Sequence, residues 1–236
     1  MRFIQITTVL CILIISGVFA WNNLFLEEKV ISKESFHSFH VAGDATVFLI
    51  PSKEQKVVLK GDKNTLENAI IGIDKQELTI CSESCDFSSR KFEVYVYTDT
   101  IKNIYAGGAS SIITHGMFVG NQLNIKTDGA AELKMRLQLD SLQLTMDGAA
   151  NVQLAGSTNV FDFQIGKVGD LMAYNFESQF CSARLENFPQ NPGIARINVT
   201  QTLSATINGP RQLLVKGDAK IIEENIAGEG EIIRYQ

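Results

Sequence analysis

Asp128 and Asp147 sit in near-identical contexts, DGAAEL and DGAANV, 19 residues apart. If those contexts stack as neighbouring rungs of a sheet, the two carboxylates lie about 4.8 Å apart. They then repel unless water or a cation screens them. Hard oxygen ligands of this kind suit calcium. Gly107 and Val168 hold the matching position in the flanking copies, however, so the acidic ladder is two rungs long. The chain also lacks the glycine-aspartate nonapeptide of calcium-binding rolls. The pair reads as two solvated turn residues, and no metal or other cofactor is expected.

His37 and His40 lie three apart on a strand-like stretch, so they point to opposite faces and do not share a metal. His115 precedes Gly116 and reads as a turn residue. Cys81 and Cys85, in CSESC, either close a short disulfide loop or remain two free thiols; the spacing allows both. A zinc site lacks a second ligand pair. Cys181 reads as a small buried residue. There is no serine-nucleophile motif, phosphate-binding glycine loop or zinc-protease signature. Enzymes that cleave polysaccharides on a β-helix need clustered or paired carboxylates. Here Glu132, Lys134, Asp140, Asp162, Lys167 and Asp170 are scattered. The composition excludes other classes. Of 236 residues, 45% are hydrophobic and 20% charged, the balance of a folded chain. The net charge of -5 leaves no basic footprint for nucleic acid.

The elements that carry these residues alternate with a period of two. Leu123, Ile125, Thr127, Gly129, Ala131, Leu133, Met135, Leu137 and Leu139 take the odd positions, with polar residues between most of them. The apolar set then continues on even positions from Leu142 to Leu154. This is the pattern of half-buried strands. GGASSI at 107–112, DGAAEL at 128–133 and DGAANV at 147–152 align, with weaker copies VGDLMA at 168–173 and KGDAKI at 216–221. A strand-built repeat near 20 residues predicts a β-solenoid. Twenty residues at about 3.3 Å give roughly 66 Å of path, which suits a triangular coil. Gly108, Gly129, Gly148 and Gly169 are expected to stack at one corner. The expected fold is an all-β, right-handed single-stranded β-helix of about seven or eight coils. Residues 30–236 form one domain, with 36–97 as an irregular amino-terminal cap and first coils, and 98–222 as the repeated coils.

The first segment, MRFIQITTVLCILIISGVFAWNN, has Arg2 before an apolar run and Val18-Phe19-Ala20 as a small-residue cleavage site. Residues 1–20 read as an export signal, or as an amino-terminal anchor if uncleaved. The run from Ile4 to Ala20 is marginal for a hydrocarbon layer of about 30 Å.

Phe36-x-x-Phe39-x-Val41-x-Gly43, Val47-x-Leu49 and Val57-Val58-Leu59-Lys60-Gly61-Asp62 resemble the opening of the auto-transporter adhesin head GIN domain family. The repeated Gly-Ala-Ala/Ser blocks, Asn208-Gly209-Pro210 and Lys216-Gly217-Asp218 extend the resemblance. It implies an exported envelope protein of a bacterium, periplasmic or at the cell surface, folded as a solenoid, with no catalytic residues to carry over. The family's usual Ser-Gly-Ala-Ser is replaced at two blocks by Asp128 and Asp147 before the glycine. The expected function is a non-enzymatic, adhesin-like binding or scaffold module for a surface glycan or envelope protein. Its candidate binding residues are Lys126, Asp128, Glu132, Asp147 and Asn151, with Lys134, Thr145 and Gln153 beside them. The alternatives are a carbohydrate-active enzyme on the same scaffold and a structural oligomerisation module. The membrane is a partner only through the amino-terminal segment.

Overall fold

The computed structural model describes residues 27–61, 69–81, 92–186 and 193–235. Residues 1–20, 64–68 and 187–192, and Cys85, lie outside the described residues. All described secondary structure is β. In chain order the first strands are β1 Glu27–Ser32, β2 Ser38–Val41, β3 Ala45–Ile50, β4 Lys56–Gly61, β5 Ile70–Asp74 and β6 Glu77–Cys81. Next come β7 Phe92–Tyr97, β8 Asn103–Ala106, β9 Ser111–Thr114 and β10 Phe118–Thr127. Four long strands follow: β11 Glu132–Met146, β12 Ala150–Ile165, β13 Gly169–Leu185 and β14 Ile194–Asn208. The chain closes with β15 Gln212–Lys216, β16 Lys220–Ala227 and β17 Glu231–Tyr235.

The long strands pair in parallel, each with the next, over nearly their whole length. The result is a β-solenoid of about 6 turns. Each coil has three sides. In β11 the second side is 132–135, the third 137–139 and the first 142–146. Alternation sends Leu133, Met135, Leu137, Leu139, Leu142, Leu144 and Met146 inward, where all are buried. Asp140 and Ser141 point outward in succession. Two outward residues in a row turn the strand around a corner, where the ladder skips Asp140 and resumes at Ser141. That is why a 15-residue run need not end where it bends.

The coils number about six, fewer than the seven or eight expected. Two causes account for it. No strand of 51–101 lies between β2–β3 and β8–β9, which pair directly although 65 residues apart; the described strands in between stand on the other edge of β2 and β3 as a cap. There β7 adds to β3 in parallel, β4 adds antiparallel to β7, and β1 antiparallel to β4. The β5–β6 hairpin adds to β2. The repeat also lengthens, since Leu171 pairs with Ala195 whereas Glu132 pairs with Asn151.

Glycine governs one corner. A Cβ on Gly129 would come within 2.7 Å of the Gly108 carbonyl oxygen, and a Cβ on Gly148 would overlap the Gly129 carbonyl. The column Gly43, Gly108, Gly129, Gly148 therefore stacks backbone directly on backbone. Gly169 does not continue it. Ala150 pairs with Gly169, so Lys167 takes the rung above Gly148 and Gly169 stands two positions on. KGDAKI likewise falls elsewhere: Gly217 faces Val199, because Val215 pairs with Ile197.

Gly169 belongs to a second small-residue column, with Ser110, Ala131, Ala150 and Gly193, next to which Arg211 is set. Arg211 is only 1% exposed. Its Nε donates to the Glu186 carbonyl at 2.7 Å and its Nη2 donates to the Lys167 carbonyl. Burial pushes its pKa down, while Asp170 and Glu186 oppose that shift. One side chain thus satisfies carbonyls on two earlier turns.

The last rung differs from those before it. Glu224 pairs with Ala205 and Arg234 with Val215, so both occupy inward positions. Arg234 donates to the Ala219 carbonyl at 2.6 Å.

Two outcomes test this packing. Gly148→Leu is expected to cost about 1–3 kcal/mol, which in a domain of this size lowers the thermal midpoint by roughly 2–4 °C per kcal/mol. An unchanged melt would refute the stacked corner. Cys181 is buried in the core as a free thiol, and burial holds its pKa far above the usual thiol range. It is expected to resist alkylation at pH 8 in the native protein and to react on unfolding, as read by mass spectrometry.

Candidate binding surface

The outer surface of the first side is built by register. Ser38, Asn103, Asn124 and Gln143 align in one row, and His40, Tyr105, Lys126 and Thr145 in the next. The rows are polar because alternation has already spent the apolar residues on the core. Asn103 Nδ2 donates to Ser38 Oγ at 3.0 Å, and Asn124 Nδ2 donates to Asn103 Oδ1 at 3.0 Å. Asn124 Oδ1 is buried and makes no hydrogen bond within the described protein. The His40 and Tyr105 rings lie 4.3 Å apart. An open groove follows these rows from Glu77 to Thr145.

The candidate residues singled out in the sequence wrap one corner rather than sharing one flat. Lys126 is on the first side, Asp128 and Asp147 are in the turns after it, and Glu132 and Asn151 begin the second side. Lys126 Nζ and Asp147 Oδ2 are 3.5 Å apart. Asp128 Oδ1 accepts from the Gly129 N–H at 2.8 Å. Glu132 and Asn151 are paired in register, and Glu132 faces Lys134 at 2.7 Å. Asn151 Oδ1 is buried without a hydrogen-bond partner. The rung above Asp147 carries Gly166, not Val168, because Met146 pairs with Ile165. Among the described residues no three His, Cys, Asp or Glu side chains gather as a metal site would need. His37 Nδ1 lies 3.2 Å from Ser38 Oγ, and the His115 ring packs 4.9 Å from Phe48. Cys81 is buried and disulfide-bonded. Cys85, its expected partner, lies outside the described residues.

Sequence reasoning missed the opposite corner of the first side, where Asp140, Asn159, Gln179 and Gln201 line up. The signal was present as the switch of the apolar set from odd to even positions after Leu139.

The model of the family described as putative auto-transporter adhesin, head GIN domain, matches residues 35–219. No curated protein matches the chain. Solved structures share its fold. A putative adhesin from Bacteroides fragilis superposes with a TM-score of 0.79 at 16% identity, covering 89% of this chain and 97% of its own. A putative adhesin from Parabacteroides merdae gives 0.68 at 21% identity, covering 91% and 98%. A protein from Parabacteroides distasonis described as a putative lipid binding protein gives 0.71 at 17%, covering 91% and 98%.

An exposed ion pair such as Lys126–Asp147 is worth about 0.2–1 kcal/mol. Asp147→Asn is therefore expected to lower stability by less than about 1 kcal/mol. The thermal midpoint should be the same in excess chelator and in millimolar calcium. A calcium-dependent rise would assign Asp128 and Asp147 to a metal site, because a ligand bound only by the folded state stabilises it.

Proposed function

The chain belongs to the putative auto-transporter adhesin, head GIN domain family, and on that premise we propose that it is an exported, non-catalytic binding scaffold of the bacterial envelope that holds a surface glycan. Export by residues 1–20 is part of the proposal. The observation that carries it is the polar first side, a rigid strip of amides and hydroxyls one rung apart. Its Asn124 Oδ1 is buried in the wall of a groove with no internal hydrogen-bond partner. The exposed groups beside it, on Asn103, Lys126 and Gln143, are the ones within a ligand's reach. Rows of amide, hydroxyl and aromatic groups match the alternating hydroxyls and C–H faces of a sugar. Solenoids present such faces as broad binding surfaces. Contacts there are polar, wet and individually weak.

The test is the chain without residues 1–20, screened against polymeric glycans and scored for both retention and bond cleavage. Retention without product is expected, weakened in small steps by single alanine substitutions at Asn103, Asn124 and Lys126. Sustained turnover abolished by Asp147→Asn or Asp170→Asn would replace the scaffold with an enzyme.

A further inference from the structure

The corner opposite the Asp128–Asp147 turns carries a one-way ladder of amides. Gln201 Nε2 donates to Gln179 Oε1 at 3.0 Å, and Gln179 Nε2 donates to Asn159 Oδ1 at 3.1 Å. Asn159 Nδ2 then donates to Asp140 Oδ1 at 3.5 Å. Asp140, Asn159 and Gln179 are each the first of two outward residues at the turn of their coil, and Gln201 follows the exposed Thr200, so the ladder runs along the solenoid axis. Every donor points the same way and the chain ends on a carboxylate, an arrangement in which successive hydrogen bonds polarise one another. Asn159 and Gln179 each use one hydrogen and one lone pair in the ladder, and Gln201 one hydrogen. The others remain directed to solvent, repeated at the rung spacing of about 4.8 Å.

A groove of about 520 Å³ runs beside the ladder. That is within the roughly 300–1,000 Å³ of ligand clefts. Its second wall is the outer row of the third side, where Gln138, Ser157 and Glu177 are paired rung on rung. Val119, 60% exposed, lies at one end and offers an apolar contact. Among the described residues that line the groove, Asp140 and Glu177 are the charged ones, with no Lys, Arg or His.

We infer that this groove is the polymer-aligning site of the glycan-binding surface and that it takes a neutral, unbranched polysaccharide lying along the solenoid axis. The inference rests on the glycan-binding reading above and adds the place and the ligand class. The ladder supplies donors and acceptors in a repeat close to one sugar unit, so successive residues of a linear polymer meet equivalent groups. Two uncompensated carboxylates repel uronate and sulfated chains, phosphate headgroups and nucleic acid alike. Val119 provides contact for the C–H face of a ring at the end of the run.

The experiment is affinity electrophoresis of the chain without residues 1–20 in gels containing hydroxyethyl cellulose, galactomannan, alginate or polygalacturonate. Retardation is expected in at least one neutral gel, with affinity at least tenfold weaker in both acidic ones. Ser157→Arg fills the middle of the groove from an exposed position without touching the ladder. It is expected to weaken neutral binding at least tenfold at an unchanged thermal midpoint, as is Gln138→Arg one rung away. Thr145→Arg, on the first side, should weaken binding only by the small step expected there, and Glu229→Arg, in the exposed turn after β16, should leave it within about twofold, an order-of-magnitude expectation for a residue outside the contact. Neutral binding lost with Thr145→Arg but kept with Ser157→Arg and Gln138→Arg would overturn the groove assignment while the scaffold reading stands. Preference for an acidic polymer would overturn the ligand class. Retention by no glycan would overturn both readings.

Discussion

Backbone meets backbone at the glycine corner, and the geometry of the whole solenoid follows from that contact. No side-chain atom fits between Gly129 and Gly148, so neighbouring coils close to the spacing of a hydrogen-bonded sheet at the point where they bend most. Once that point is pinned, the parallel register along β11 and β12 is set for the next fourteen paired positions. Register in turn decides which residues enter the core, because a slip by one residue would expose every Leu, Ile and Phe. The outer rows are the complement of that choice. Ser38, Asn103 and Asn124 bond to one another only because Phe39, Ile104 and Ile125 are held inside.

Much of this was written in the chain. Strict alternation identified strands, and the spacing of DGAAEL and DGAANV identified stacking, because both are consequences of a single repeating coil. The corner at Asp140–Ser141 was missed, although the change of phase after Leu139 marks it. What also escaped were the positions where the coil changes length. Gly169 looked like the heir of Gly148, yet pairing places it opposite Ala150. Glycine at a corner is chosen by local crowding, and more than one site along a turn is crowded. Gly148 itself does not need a positive φ, unlike Gly129 at 77°. Arg211 gave no warning at all. A lone arginine in a polar turn, Asn208-Gly209-Pro210-Arg211, has the look of a surface residue. The two carbonyls it reaches, of Glu186 and Lys167, make its burial favourable.

The same limits hold for the binding surface. Lys126, Asp147, Glu132 and Asn151 were marked by their polarity and period, and the structure sets them around one corner. Polarity could not rank them above the amides at the other corner. Asn159, Gln179 and Gln201 are spaced by 20 and 22 residues and preceded by Asp140 at 19. An irregular interval hides a ladder from periodic inspection. Its one-way donation exists only once the coils are stacked.

The last described rung bears on how the molecule meets other strand-rich chains. An open end of parallel sheet is a template: its free N–H and C=O groups invite another strand, and a fibre grows if the added surface is again apolar. β16 and β17 present such an edge, but Glu224 and Arg234 stand where Ala205 and Val215 stood one coil earlier. A newcomer would have to strip water from both charges and break the Arg234 contact with the Ala219 carbonyl. Charge at these two inward positions of the last described rung thus opposes the addition of a further strand there, in a protein whose described secondary structure is all strand.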